Sequence, residues 1–81
     1  MTLNAVVMAF EDDGTATANV LADLSDDELS ALVGRKVKFL SERYGEYLGE
    51  VVGTDGPFVV AAFDPPPESG MGQGSMLEIL Y

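Results

Sequence analysis

The stretch Gly34–Phe63, GRKVKFLSERYGEYLGEVVGTDGPFVVAAF, decides the fold. It reads as three consecutive antiparallel strands. From Arg35 to Ser41, Val37 and Phe39 alternate with Lys36, Lys38 and Leu40, the two-residue period of a half-buried strand. Glu42-Arg43-Tyr44-Gly45 supplies a turn. Tyr47–Gly53 returns, and Gly49 and Gly53 mark a bulge or the sharp bend a small barrel needs at its corners. Thr54-Asp55-Gly56-Pro57 turns again. Phe58–Phe63 is apolar at every position, which predicts a strand buried on both faces. The same stretch holds every basic side chain of the protein, since Arg35, Lys36, Lys38 and Arg43 are the four cations present.

Working back towards the N-terminus, Leu3–Phe10 is a strand. Leu3, Ala5, Val7 and Ala9 form one face, and Asn4, Val6, Met8 and Phe10 the other. Both faces are mostly apolar, so this strand is expected to be central or covered on both sides. Glu11-Asp12-Asp13-Gly14 turns the chain into Thr15–Leu21. There Ala16, Ala18 and Val20 alternate with Thr15, Thr17 and Asn19, as in the second arm of a hairpin. Ser25-Asp26-Asp27-Glu28 fits a capping box, with Ser25 as N-cap and Glu28 at the third helical position. Leu24 and Leu29 make the accompanying hydrophobic staple. A helix of about two and a half turns follows, with Leu29, Leu32 and Val33 on one face and Gly34 as its left-handed stop. Downstream, Asp64-Pro65-Pro66-Pro67 ends the apolar strand in extended polyproline form. Glu68–Ser75 is a glycine-rich loop. Met76–Tyr81 closes the chain with Leu77, Ile79 and Tyr81 on one face.

The element order is therefore β-β-α-β-β-β-β in a single domain spanning residues 1–81. The expected fold is mainly β: a small, strongly bent antiparallel sheet or barrel of about six strands with one short α-helix. Gly34-Arg35-Lys36-Val37-Lys38-Phe39 followed by Gly49-Glu50-Val51-Val52-Gly53 resembles the small β-barrels of the SH3-like and translation-factor type. Those barrels repeat the pattern G-x-x-V-x-F, then G-x-V-x-G, then an apolar strand. The resemblance covers residues 34–63 and implies a fold, with no activity attached.

Composition narrows the function. With no histidine and no cysteine among 81 residues, the usual general base, the commonest transition-metal ligand and thiolate chemistry are all missing. Serine hydroxyls lack an activating base beyond carboxylates and two lysines on an exposed strand face, where an ammonium stays protonated. No catalytic, cofactor or metal residue is assigned, and a non-enzymatic protein with no small-molecule substrate is expected. No apolar run reaches the roughly 20 residues of a membrane span. No basic segment followed by an apolar one opens the chain, so no secretory leader is expected. These features suit a soluble intracellular or virion-associated protein. The formal net charge of −10 opposes binding to nucleic acid or anionic lipid over most of the surface. It suits a basic partner or a salt-rich milieu.

Three places are candidates for recognition. The basic cluster Arg35, Lys36, Lys38 and Arg43, with Tyr44 and Tyr47 nearby, has the residue types for phosphate contact and base stacking. It equally suits an acidic protein surface, including the acidic run Glu11–Glu28 of another copy. Its plainest reading is an edge strand whose lysines block edge-to-edge aggregation. The second place is the Pro/Gly loop, where Pro66, Met71 and Gln73 would contact a partner and become ordered in an assembly. As a phosphate cradle it is weak, because its G-x-G-x-G spacing is followed by neither a lysine nor a helix. The third is the carboxylate set Asp12, Asp13, Asp23, Asp26, Asp27 and Glu28. Turn formation and capping explain these residues better than metal ligation does. The expected function is a structural or assembly module that docks to a larger complex or to copies of itself, such as an accessory subunit of a viral particle. The alternatives are an acidic nucleic-acid-mimic inhibitor and a small nucleic-acid-binding barrel using the basic strand.

Overall fold

The computed structural model describes residues 2–11, 13–41, 45–63 and 74–80. Its strands are β1 (Thr2–Phe10), β2 (Thr15–Val20), β3 (Lys36–Ser41), β4 (Gly45–Asp55), β5 (Phe58–Phe63) and β6 (Met76–Leu80), with one helix, α1 (Asp26–Ser30), between β2 and β3. The strands close into an antiparallel barrel in the order β1-β2-β5-β4-β3-β6. The element order and class match the sequence expectation. Closure gives β3 a partner on each side, β4 and β6. Its lysines therefore do not guard an edge, because a closed barrel has none.

Period-two alternation puts Ala5, Val7, Ala16, Ala18, Val20, Val37, Phe39, Val51, Val59, Ala61, Phe63, Leu77 and Ile79 in the interior. No polar or charged residue is buried among the described residues. Size complementarity makes this packing possible. Alanines on β1, β2 and β5 leave room that Phe39, Phe63, Leu77 and Ile79 fill, as a small barrel requires. Each buried leucine- or isoleucine-sized side chain stabilises the fold by about 1.5–3 kcal/mol.

Three details differ from the sequence reading. First, the pairing of β1 with β2 shifts between Val7 and Ala9, so Val7 faces Ala18 while Ala9 faces Thr17 and Phe10 faces Ala16. One extra residue, Met8, turns Phe10 inward and leaves Ala9 exposed. Among the described residues no second layer covers the apolar outer face of β1, and Met8 is exposed. β5 likewise buries only Val59, Ala61 and Phe63, and its outer residues Phe58, Val60 and Ala62 are half-buried. Second, the helix is one short segment. Its capping box forms as read: Glu28 N–H donates to Ser25 Oγ at 3.2 Å, and Ser25 N–H donates to Glu28 Oε1 at 3.2 Å. Beyond Ser30 the bonds tighten to Leu32 N–H on Leu29 O and Val33 N–H on Ser30 O. That change of pitch buries Leu29 and Leu32 but leaves Val33 exposed. Gly34, at φ +92°, ends the turns rather than the helix, and its N–H donates to Val51 O at 2.8 Å. Third, β4 runs on to Asp55, so the β4–β5 turn is only Gly56-Pro57. Gly56 at φ +58° with proline's fixed negative φ after it gives the glycine-first hairpin geometry that matches strand twist.

The two ends of the barrel are closed differently. Leu29 and Leu32 of the α1 segment join the core at one end. At the other, Phe39 stacks on Tyr47 with ring centroids 6.2 Å apart, and Phe10 packs against the same core. Gly74 and Ser75 are already fastened to β1, since Gly74 N–H donates to Val7 O and Val7 N–H to Ser75 O, both at 2.8 Å.

Candidate interaction face

The outer surface of β3, β4 and β5 is set by the register of one hairpin. Ser41 opposes Gly45, so Lys38 opposes Leu48 and Lys36 opposes Glu50. Lys36, Lys38, Leu48 and Glu50 point outward, and Val37, Phe39, Tyr47 and Gly49 point inward. Lys36 Nζ lies 3.6 Å from Glu50 Oε1, and Lys38 Nζ lies 3.9 Å from Glu46 Oε1. On its other side Lys38 opposes Glu78 of β6. The lysines thus sit in a lattice of carboxylates rather than in a positive patch. Such exposed pairs are each worth about 0–1 kcal/mol, so their effect is to neutralise the face more than to hold the fold.

Between the charges the face is apolar. Leu48 is 60% exposed and Val52 50% exposed. Val52 stands where the β4–β5 register shifts between Val51 and Gly53, and the bulge re-aims it. An open hollow of about 420 Å³ lies between Leu48 and Val52, with Ala62, Gly49, Lys36 and Glu50 around it. The backbone beneath is drawn close by Gly49. A side chain there would meet the carbonyl oxygen of Ala62 and the Phe63 ring, with Phe63 Cδ1 2.8 Å from the added carbon.

The structure divides the sequence-derived recognition residues. Lys36 and Lys38 share the outer face. Arg35 is exposed at the junction of α1 and β3, beside a small hollow with Leu3, Leu24, Glu28, Ala31 and Leu32. Its backbone is pinned: Arg35 N–H donates to Leu32 O, and Val51 N–H donates to Arg35 O. Tyr47 is not with the lysines, because it points inward against Phe39. Arg43, Tyr44, Pro66, Met71 and Gln73 lie outside the described residues. Sequence reading missed Glu46, Leu48, Glu50 and Val52. The signal was the alternation Glu46-x-Leu48-x-Glu50, whose partners depend on turn length.

Away from this face, Asp13 and Glu28 have local roles. Asp13 Oδ1 accepts from Thr15 Oγ1 at 2.7 Å and from Thr15 N–H at 3.0 Å. The Thr15 hydroxyl, and then its amide, hold the Asp13 carboxyl below its ordinary value. Asp23, Asp26, Asp27 and Glu28 are exposed around the start of α1, and among the described residues no lysine or arginine pairs with them. Comparison with known proteins adds no identity: neither a family model nor a curated protein matches the chain.

Proposed function

We propose that this chain is a non-catalytic assembly module that docks through the outer face of β3, β4 and β5, to a larger body or to copies of itself. The observation that carries the reading is the pair Leu48 and Val52, large, exposed and rimmed by Lys36, Lys38, Glu46 and Glu50. An exposed apolar patch with a polar rim is the usual mark of an interaction surface. An accessory subunit of a large particle, viral or otherwise, is the setting that suits such a module. Nucleic-acid binding through the basic strand is less well supported, because Lys36 and Lys38 already face carboxylates. In extracts of its native cells the chain is expected to migrate above its own 8.6 kDa, as a dimer or as part of a larger body. There Lys36 and Lys38 should resist amine methylation relative to the isolated chain diluted to a monomer. Migration at the mass of one chain, with both lysines fully reactive, would remove the reading.

A further inference from the structure

The docking reading leaves the occupant of the face unnamed. We infer that the occupant is a second copy of this chain, joined by a two-fold contact in which Leu48 of each copy enters the hollow beside Leu48 of the other. That identity rests on the docking reading, and three observations point to it.

The first is shape. A two-fold interface must be complementary to itself, so knob and hole have to lie on one patch. Here they do. Leu48 is the most exposed large apolar side chain described, and the hollow lies beside it. The hollow exists for identifiable reasons. Ala62 is the smallest outward residue of β5, and it opposes Glu50. Glu50 is drawn towards Lys36 on the opposite side, which leaves the β5 side uncovered.

The second is charge. The outer face of β3 and β4 carries Lys36 and Lys38 against Glu46 and Glu50, a net of zero, with Glu78 of β6 on the far side of Lys38, on a chain whose net is −10. The remaining surface therefore bears the whole negative excess. Two copies repel through almost any other contact, whereas this face meets its like without repulsion and lets each lysine reach a glutamate of either copy. A partner that is neutral here and closes by a two-fold axis is most simply the same chain.

The third is what the patch lacks. A basic partner would be drawn to the carboxylates Asp23, Asp26, Asp27 and Glu28, which lie at the helix end of the barrel. The neutral face offers it no advantage. The dimer also has a distinctive salt response. Raising salt from 0.1 to 1 M shortens the screening length from about 10 to about 3 Å, which weakens the repulsion between the two acidic bodies and leaves the apolar contact intact. Association should strengthen with salt, the reverse of an ion-paired interface.

Sedimentation equilibrium of the full chain, from micromolar to millimolar at both salt concentrations, tests this. The expected result is a monomer–dimer equilibrium that tightens by about tenfold or more at the higher salt. Leu48→Asp and Ala62→Leu should each weaken it by about tenfold or more, one by charging the knob and the other by filling the hole. Both positions face outward, and circular dichroism verifies that each variant is folded. A single-chain mass at every concentration overturns the self-pairing, as does association that weakens with salt, grows beyond a dimer, or is unchanged in both variants. Failure here leaves the assembly reading to its own test in native extracts. Self-pairing of the pure chain, with migration as a small free dimer in extracts, would instead keep the two-fold contact and remove the larger body.

Discussion

Leu48 and Gly49 are neighbours on β4 with opposite environments. Leu48 stands out into solvent over Lys38, and Gly49 lies under Phe63 with no room for a single added carbon. One peptide bond separates a position that the fold hardly constrains from one it constrains completely. The difference shows where each kind of information is stored. The barrel is specified by its inner residues, through volume, and any recognition is written on the outer ones, through exposure and charge. A strand places the two on alternating residues, so both can change independently.

The largest test of that separation is Gly49→Val. An added side chain must displace the Ala62 backbone or the Phe63 ring, and destabilisation of about 3 kcal/mol is expected. For a domain this small that is a large share of its total stability. Leu48→Ala, one residue away, should change stability by no more than about 0.5 kcal/mol in dilute low-salt solution. Urea unfolding of the two variants side by side decides it, and equal losses would break the comparison. Comparable in size, Ile79→Ala, inside on β6, should cost about 2–5 kcal/mol, while its exposed strand-mate Met76→Ala should cost far less. Smaller again is Ser25→Ala. This residue is exposed, yet it satisfies the Glu28 amide and orders the segment that carries Leu29 and Leu32. A loss of about 1 kcal/mol in thermal or urea unfolding would show that an outer residue matters through backbone satisfaction alone. The smallest effect concerns Asp13. Its lowered carboxyl contributes stability that is present at neutral pH and is lost as pH falls through the folded-state midpoint. In Thr15→Val the hydroxyl donor is gone and the amide remains, so the Asp13 midpoint followed by NMR should rise towards its ordinary value. An unmoved midpoint would mean that the hydroxyl does not hold it.

Much of the barrel was legible because its interior is chosen by alternation, which survives small errors of boundary. Val37, Phe39, Leu77 and Ile79 fall inside as the pattern indicates. The capping box at Ser25 and Glu28 was equally readable, since all its partners lie within four residues. The outer face was harder because it depends on register. A four-residue turn at Glu42–Gly45 would oppose Ser41 to Glu46, and Lys36 would then face Val51. The observed pairing of Ser41 with Gly45 differs by one residue. That slip moves every β4 side chain to the other face. It is why Tyr47 looked like a companion of the lysines and Glu50 did not. The bulge at Met8 was hidden for a similar reason. An apolar residue on both sides of the break gives no change of polarity to mark where Phe10 turns inward.

The pairing of β1 with β6 has a consequence for how the molecule is made. Thr2 opposes Leu80 and Val6 opposes Met76, so the seam that completes the cylinder joins residues from opposite ends of the sequence. The β3–β4 hairpin closes a short loop and can form at once, but the seam must wait for nearly the whole chain. Each doubling of a closed loop adds about 0.6 kcal/mol of entropy cost, so the seam carries the heaviest such burden in the barrel. Folding is therefore expected to be slow for its size, in the millisecond-to-second range of non-local β topologies. Until the segment from Met76 is in place, β1 and β3 both lack the neighbour that closes the cylinder.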